Sequence, residues 1–479
     1  MSNRHSSRRS FLESLSAVGA VAAAGAADFI HPIQAAAKEA GVKPADLPDL
    51  TIKEVKQYVV DVSGVRRFNS SENGVIFSMV TNSGIEGNYT DGNRGLMPKF
   101  LEYAKATCVG KSVVDLLPMI PSSRQFLGGG GRGGAMDGIP AGAGTAGTGA
   151  APATGAAAAQ AAAEAARARA SGRGGPFSGG FGFTRGRQSG SAATVDLGAA
   201  YVDVMLWDIL GKAVNRPIYK LLGGTKDRMI AYASSQHLAT VEEYVPDAQK
   251  AKAMGFKAYK IHPGGGQHRG AIGQVPSYLG HIDEIREVRK AMGASYTLLF
   301  DPVQRYNVFE AIKVGRVLDE CGYVSFEDPI PTTDIEGLIE LRQKLDLPVE
   351  AGEFLYSIYD YAEYIQRGAT DIVRLIADNV GGISGSWRIG QLADAFRMPC
   401  TPHNWGNVLD IAVHLQLELA MPNAYWVEMP MPPEQTDRVY HKDKIRLDPE
   451  GFILAPTAPG LGYPLDRDAM EKIMLRIDR

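Results

Sequence analysis

Short apolar runs alternate with longer amphipathic stretches over the second half of the chain. After Thr225, strand-like runs of a few residues alternate with helical stretches of about 10–15 residues, the pattern of repeated βα units around a parallel sheet. The strands end near eight residues, namely Ser234, Lys260, Asp301, Glu327, Glu353, Asp378, His403 and Glu428. Because eight such units close a barrel, we predict an α/β fold with a (β/α)8 TIM-type barrel over residues 226–430.

The spacing of these strand ends supports the barrel. From Asp301 to Glu428 they follow one another at intervals of 25 or 26 residues, close to the roughly 30 residues of one βα unit. The longer step from Lys260 to Asp301 contains Gly264-Gly265-Gly266, and we interpret it as a loop insertion that extends to about Gly280. Six ionisable groups therefore occupy the same position, the end of the strand, in six successive βα units.

The region before the barrel combines strands and helices without this regular alternation. Residues 50–121 contain a strand-like run at 75–80, the turn Asn82-Ser83-Gly84 and a helical stretch from about Leu96 to Thr107. We predict a small α+β domain here, completed after an interruption by a helical segment over residues 193–225.

Two stretches differ in composition from the rest of the chain. Residues 122–192 are dominated by Gly and Ala, and they bury too little apolar surface to offset chain entropy. We therefore predict a largely disordered insertion there. Near the N-terminus, Ser7-Arg8-Arg9-Ser10-Phe11-Leu12 precedes a short apolar stretch. We interpret residues 1–37 as a twin-arginine export signal and expect a periplasmic or exported protein.

The overall composition narrows the class of protein. Hydrophobic residues make up 45% of the 479 positions and charged residues 22%, as in soluble globular proteins, and the net charge is −3. Cys108, Cys321 and Cys400 form neither a disulfide framework nor a CxxC zinc pair. No segment approaches the ~20 apolar residues of a membrane span. We expect a small-molecule carboxylate as partner, no nucleic acid, no membrane span, and a homo-oligomer.

Three strand-ending residues are carboxylates on consecutive strands: Asp301, Glu327 and Glu353. In a TIM barrel, the C-terminal strand ends converge on the active site. A single carboxylate there is usually a solvated strand end or a helix cap, but three in phase repel one another unless a cation lies between them. Oxygen ligands alone select a hard cation, so we predict a Mg²⁺ site formed by these three residues, with Asp328 outside the ligand set.

The remaining strand-ending groups suit proton transfer beside this metal. Lys260 and His262 are two residues apart on one strand, so their side chains point the same way. Asp378 and His403 end neighbouring strands, which allows a pair in which the carboxylate raises the basicity of the imidazole. Glu428, if protonated, is placed to donate a hydrogen bond to a developing oxyanion. Together these groups fit abstraction of the proton next to a metal-bound carboxylate, through an enediolate.

Several short segments together form a more specific pattern. They are residues 206–209, 221–224, 255–262, 326–329, 351–353, 378–383, 401–404 and 459–462. This set resembles the enolase superfamily, and within it the mandelate racemase subgroup of the mandelate racemase/muconate lactonizing enzyme-like proteins. The resemblance covers about residues 50–121 and 193–479. It implies that the small domain is an N-terminal α+β capping domain, to which residues 431–479 return. Its loops at 64–73 and 84–95 would select the substrate.

The resemblance also implies roles for individual residues. It makes Lys260 the group that binds the substrate carboxylate and Asp378 with His403 the proton-transferring dyad. Two positions depart from the family pattern. His262 stands where a second lysine is expected, and Asp301 is followed by Pro302-Val303-Gln304 where an asparagine is usual. We therefore expect an unusual acid or base on the His262 side and unusual local substrate contacts.

Three functions fit these residues. The leading interpretation is a Mg²⁺-dependent lyase that dehydrates a sugar acid or similar hydroxy acid, with His403 as base or acid. A racemase or epimerase of a hydroxy or amino acid derivative needs a second base on the other face, for which His262 is the candidate. A non-catalytic, exported acid-binding protein on the same scaffold is disfavoured by the complete set of metal and dyad positions. A metal-dependent hydrolase barrel is disfavoured because no HxH motif follows the first strand.

Overall fold

The structure, a computed structural model, describes residues 47–62, 73–90, 100–117, 192–264 and 277–479. The export signal predicted for 1–37, nearly all of the insertion predicted for 122–192, nearly all of the loop predicted for 64–73 and the last part of the loop predicted for 84–95 lie outside these ranges. Those interpretations stay predictions. Within the described residues, no helix has the length and apolar character to span a membrane.

The elements alternate regularly through the barrel. The strands are β1 (Ile52–Asp61), β2 (Asn73–Thr81), β3 (Glu86–Thr90), β4 (Arg228–Ser234), β5 (Ala258–Ile261), β6 (Thr297–Phe300), β7 (Phe326–Glu327), β8 (Val349–Ala351), β9 (Ile372–Leu375), β10 (Cys400–Pro402), β11 (Trp426–Pro430), β12 (Phe452–Leu454) and β13 (Met474–Asp478). The α-helices are α1 (Phe100–Cys108), α2 (Val113–Leu116), α3 (Ala192–Ala213), α4 (Ile218–Leu221), α5 (Val241–Ala253), α6 (Ser277–Met292), α7 (Val308–Glu320), α8 (Ile335–Lys344), α9 (Ile358–Arg367), α10 (Gly382–Ala395), α11 (Val408–Ala420) and α12 (Arg467–Glu471). Short 3₁₀ turns cover Ala377–Asn379 and Pro433–Thr436.

A four-stranded antiparallel sheet, in the order β13-β1-β2-β3, forms the small α+β domain. One edge comes from the C-terminus of the chain, since Tyr58 of β1 lies opposite Ile477 of β13. The sheet packs on helices α1 and α3 through aromatic rings. The centroids of Phe77 and Phe100 are 4.3 Å apart, and Tyr201 packs against both. Burial of these large side chains gives the domain its core.

Eight parallel strands form the barrel sheet in the order β10-β9-β8-β7-β6-β5-β4-β11. Strand β4 pairs with both β5 and β11, so the first and eighth strands are neighbours, and β10 contacts β11. The short strands are buried on both faces. Burial of this kind is typical of parallel sheets, whose strands are near-continuous apolar runs. Capping boxes at Asn307 and Asn407 begin helices α7 and α11. The predicted (β/α)8 barrel with an N-terminal α+β domain is confirmed.

The predicted strand ends lie close to the observed ones. Ser234 and Glu327 are the last residues of β4 and β7, and Asp301 and His403 directly follow β6 and β10. Two details differ from the prediction. The insertion after β5 ends before Gly280, because α6 already begins at Ser277. Strand β12, which pairs antiparallel with β4, was not predicted because its three residues carry no periodic signal.

Candidate active site

Lys260 connects the carboxylates of three other strands. It is fully buried on β5, and its Nζ lies 2.7 Å from Glu327 Oε2, 2.8 Å from Glu428 Oε1 and 3.5 Å from Asp301 Oδ2. Burial alone would lower the pKa of this ammonium, but the carboxylates hold it well above its usual value. Lys260 is therefore a permanent cation. Because its N–H groups face protein carboxylates, binding of a substrate carboxylate by Lys260 requires these contacts to rearrange.

Arg374 is a second buried cation of the barrel interior, and the sequence analysis missed it. Its Nε lies 2.7 Å from Glu327 Oε1, its Nη1 donates to the Tyr232 hydroxyl at 3.0 Å, and its Nη2 pairs with Glu428. Burial would lower the pKa of Arg374, but these glutamates raise it well above the usual value. One signal was available in the sequence. An arginine inside the apolar strand β9 is costly to bury unless carboxylates surround it.

Replacing Arg374 with Met should lower the free energy of unfolding by about 3–5 kcal/mol. Removing one partner of a buried ion pair leaves the other charge uncompensated, here those of Glu327 and Glu428. Urea denaturation of the purified variant measures the loss. Arg316→Met, which removes an exposed arginine of α7, is the matched control and should change stability by no more than about 0.5 kcal/mol. Equal stability of the two variants would contradict the structural role of Arg374.

Glu327, Asp328 and Glu353 form a buried acidic cluster. One carboxylate oxygen from each lies within 4.8 Å of the others. Oδ2 of Asp328 and Oε2 of Glu353 are buried and accept no hydrogen bond. Burial, and then repulsion by neighbouring carboxylates, raises the pKa values of Asp328 and Glu353 well above their usual range. Buried carboxylate oxygens that lack donors are the ligands a hard divalent cation requires, so these residues fit Mg²⁺.

The third member of this cluster differs from the sequence prediction. Asp301 was predicted as a ligand, but its Oδ2 lies 2.9 Å from His262 Nε2 and 3.5 Å from Lys260 Nζ. Asp328, predicted to lie outside the ligand set, contributes an oxygen instead. Its φ of 33° breaks the alternation of side chains along the strand and allows Asp328 to share a face with Glu327. The set of Asp301, Glu327 and Glu353 stays a prediction, with Asp328 as the competing ligand.

His262 is held between a carbonyl group and a carboxylate. Its Nδ1 lies 2.7 Å from the carbonyl oxygen of Ser235, and its Nε2 lies 2.9 Å from Asp301 Oδ2. A carbonyl and an ionised carboxylate only accept hydrogen bonds, so both contacts engage His262 as a donor. Although burial opposes ionisation, His262 and Lys260 lower the pKa of Asp301 below its usual value. In this arrangement His262 is a hydrogen-bond donor and not a base.

His403 lies beside the acidic cluster, with its Nε2 3.5 Å from Glu353 Oε2. Burial lowers the pKa of His403 well below its usual value, so the imidazole is neutral near pH 7 and able to accept a proton. The direction of this shift is opposite to the rise expected from pairing with Asp378. The Oδ1 atom of Asp378 accepts a 2.7 Å hydrogen bond from the hydroxyl of Tyr89, in β3 of the small domain. The pairing of Asp378 with His403 stays a prediction.

Replacing Tyr89 with Phe should lower the free energy of unfolding by about 1.5–3 kcal/mol, because the buried Asp378 carboxylate loses a donor. Urea denaturation measures the change. Tyr425→Phe, which alters an exposed tyrosine, is the control and should have almost no effect. A loss below about 0.5 kcal/mol for Tyr89→Phe would show that this hydrogen bond does not help to hold Asp378.

Glu428 is an ionised carboxylate surrounded by donors. Lys260 Nζ at 2.8 Å and Trp405 Nε1 at 3.0 Å contact Oε1, while the Asn404 backbone N–H at 3.0 Å and Arg374 contact Oε2. Burial would raise the pKa of Glu428, but Arg374 and Lys260 hold it well below its usual value. In this geometry Glu428 accepts hydrogen bonds and anchors Lys260 and Trp405. The donor role that the sequence analysis gave Glu428 in its protonated form stays a prediction.

Fold and site together define a class: a barrel enzyme with an acidic metal-type cluster at the strand ends, flanked by two histidines. Residues 243–469 match the family profile described as Enolase C-terminal domain-like. This match covers slightly less than half of the chain, so the barrel region is similar to the enolase superfamily over these residues.

Characterised relatives resemble this chain over slightly more than half of its length. Arabinonate dehydratase of Saccharolobus solfataricus is 29% identical over 278 residues, which cover 57% of this chain and 71% of that protein. D-gluconate dehydratase of Thermoproteus tenax is 27% identical over 278 residues, or 57% of this chain and 55% of that protein. D-galactarolactone cycloisomerase of Agrobacterium fabrum is 29% identical over 286 residues, or 57% of this chain and 73% of that protein.

A solved structure shows the same fold over a larger share of the chain. The magnesium complex of D-glucarate dehydratase from Agrobacterium tumefaciens superposes with a TM-score of 0.67 at 23% identity. The match covers 90% of this chain and 100% of that one.

Proposed function

We propose that the protein dehydrates a sugar acid or similar hydroxy acid, after abstraction of the proton next to its carboxylate. The observation that carries this proposal is the juxtaposition of donor-free oxygens on Asp328 and Glu353 with the neutral imidazole of His403. Mg²⁺ held by Glu327, Glu353 and an aspartate would supply positive charge to the substrate carboxylate and so acidify the adjacent C–H bond.

The chain's own residues account for the proton movements. Nε2 of His403 accepts the α-proton, and the resulting imidazolium returns it to the hydroxyl group on the neighbouring carbon, which leaves as water. The enol that remains becomes a 2-keto acid. Lys260 stays charged throughout and, with Arg374, balances the carboxylates of Glu327 and Glu428. His262, which directly follows β5, donates to a different acid, Asp301.

The relatives support this choice of reaction, since two of those described are named as dehydratases of sugar acids. A racemase or epimerase is the second candidate, because His262 brings another imidazole to the acidic groups. Its hydrogen bonds to Ser235 and Asp301 make it a poor proton acceptor, which favours the dehydratase.

A panel of aldonic and aldaric acids, incubated with the Mg²⁺-loaded protein, tests the proposal. Semicarbazide detects 2-keto acids as they form. We expect one or a few acids to give product with the wild type and none to do so at a comparable rate with His403→Asn. If no acid gives a 2-keto product but one gives its stereoisomer, the racemase alternative replaces the dehydratase.

A further inference from the structure

A basic group lies next to His262 at the mouth of the barrel, and the proposed proton transfers do not use it. Arg305 belongs to the loop after β6, and His237 belongs to the loop after β4, so both lie at C-terminal strand ends beside β5. The ring centroids of His237 and His262 are 5.2 Å apart, and Arg305 Nη2 lies 3.1 Å from His237 Nδ1. Contacts therefore run from Asp301 through the two histidines to Arg305.

Neutral groups hold Arg305. Its Nη1 donates to the carbonyl oxygens of Pro263 at 2.7 Å and Gly264 at 3.1 Å. In the part of the chain that the structure describes, no carboxylate lies within ion-pair distance of Arg305, and residues 265–276, which continue from Gly264, contain no Asp or Glu. Lys260 and Arg374, by contrast, each contact several carboxylates. Arg305 is a largely buried cation that forms no ion pair with the residues that the structure describes.

Asp301 and Glu284 act electrostatically on Arg305 but do not form an ion pair with it. Asp301 is bound by His262 and Lys260. Glu284 is buried on α6, where burial raises its pKa to about 8, so this carboxyl is mostly protonated near pH 7. A guanidinium that forms no ion pair and is mostly removed from water gains most from an anion supplied by a ligand.

The backbone that presents Arg305 is strained. Val303 and Gln304 have φ angles of 52° and 60°, in the left-handed region that residues other than glycine rarely adopt, and a β-branched valine is especially disfavoured there. Two hydrogen bonds to the loop after β7 hold this turn: Gln304 N to Asp328 O at 2.7 Å and Tyr306 N to Pro329 O at 3.1 Å. Strain that the surrounding structure maintains is typical of ligand-binding positions.

We propose that Arg305, oriented by His237, binds a second anionic group of the substrate, so that the preferred acids carry a negative charge at both ends. This inference rests on the proposed function for the first carboxylate, which lies at the acidic cluster. Two Nη1 donors are directed at the carbonyl oxygens of Pro263 and Gly264, and Nη2 lies 3.1 Å from His237 Nδ1. The remaining Nε–H and Nη2–H form a fork that matches two oxygens of a carboxylate or a phosphate. The substrate class is therefore sugar diacids or phosphorylated sugar acids.

Equilibrium binding tests this site separately from turnover. In a His403→Asn background with Mg²⁺, calorimetry compares D-galactarate with D-galactonate, and 6-phosphogluconate with D-gluconate. We expect the dianionic member of one pair to bind roughly 10- to 100-fold tighter, the range expected for a hydrogen-bonded charge pair. Arg305→Gln should remove most of that preference, and Arg305→Lys should keep part of it. Arg316→Gln, at an exposed arginine of α7, should leave it intact.

The outcomes separate the two claims. If Arg305→Gln removes only the preference for D-galactarate over D-galactonate, the second anion is a carboxylate. If it removes only the preference for 6-phosphogluconate over D-gluconate, the second anion is a phosphate. Equal affinity within both pairs for the His403→Asn protein with Arg305 intact, or a preference that survives Arg305→Gln, overturns the inference even if the wild type produces 2-keto acids. A preference that depends on Arg305, without any 2-keto product, supports the anion site and counts against the dehydratase. If Arg305→Gln does not fold, Arg305→Lys replaces it: a partial loss of the preference supports the inference, and an unchanged preference overturns it.

Discussion

Replacing His403 with Asn should lower kcat by about 10²–10⁴-fold, the usual contribution of a positioned acid or base. The variant keeps a polar side chain of similar size but cannot accept the α-proton. Because burial holds the pKa of His403 well below 6.5, the imidazole stays neutral and competent as the pH falls. The wild-type rate should therefore persist below pH 6.5 and decline only at lower pH. Steady-state kinetics from pH 5 to pH 9 measure both effects.

His262→Asn is the comparison variant for this experiment. Since His262 acts as a donor to Asp301 and Ser235, its loss should reduce kcat less than the loss of His403. Equal losses for the two histidines, together with a stereoisomer as product, would assign the reaction to a racemase. A decline in rate that begins near or above pH 6.5 would show that His403 is not the neutral base described above.

Removing the metal should strongly affect both turnover and the stability of the folded protein. We expect EDTA to abolish turnover and Mg²⁺ to restore it, and saturating Mg²⁺ to stabilise the folded protein by about 2.7 kcal/mol at a hundredfold excess over Kd.

Glu353→Gln should lose this stabilisation. In the metal-free protein the same substitution should lower the free energy of unfolding little, because it removes one of several mutually repelling carboxylates. Glu320→Gln, on the exposed face of α7, should respond to Mg²⁺ as the wild type does.

The pH dependence of this stabilisation follows from the direction of the pKa shifts. Asp328 and Glu353 have raised pKa values in the folded, metal-free protein. Such groups contribute stability below their unfolded values of about 4, and this contribution is lost as the pH rises through the folded values. Mg²⁺ binds the ionised forms, so the shift in Tm on adding Mg²⁺ should be larger at pH 8 than at pH 5. A shift that shrinks with rising pH would contradict the cluster as a metal site.

The two aspartates are distinguished by the same measurement. If Asp301 is a ligand, Asp301→Asn should weaken Mg²⁺ binding as strongly as Glu353→Gln does. If Asp328 is the ligand, Asp328→Asn should do so, and Asp301→Asn should mainly disturb His262.

The periodic part of the molecule was predictable from the sequence. A barrel repeats one strand and one helix, so Asp301, Glu327, His403 and the other strand-ending groups are separated by nearly constant intervals. The side-chain periodicity of a strand likewise places Lys260 and His262 on one face. These features depend on local order along the chain, which the pattern of apolar residues reveals.

The features that the sequence analysis missed arise from contacts or conformations without a local pattern. Tyr89 reaches Asp378 across 289 positions of the chain. The place of Asp328 in the acidic cluster depends on one unusual φ angle, which its residue type does not predict. The ionised state of Glu428 depends on Arg374, a single arginine inside a short strand. Protonation in a buried site is a property of all the surrounding charges, and these become known only when the strands are assembled.

The proposed reaction removes a proton from the carbon next to a substrate carboxylate and expels water from the neighbouring carbon. Proton NMR of an acid incubated with the Mg²⁺-loaded enzyme in D₂O follows both events at once. We expect loss of the α-proton signal together with a 2-keto-3-deoxy acid, deuterated at carbon 3. Recovery of the stereoisomer with deuterium at the α-carbon, or of unchanged acid that retains its α-proton, would contradict this reaction.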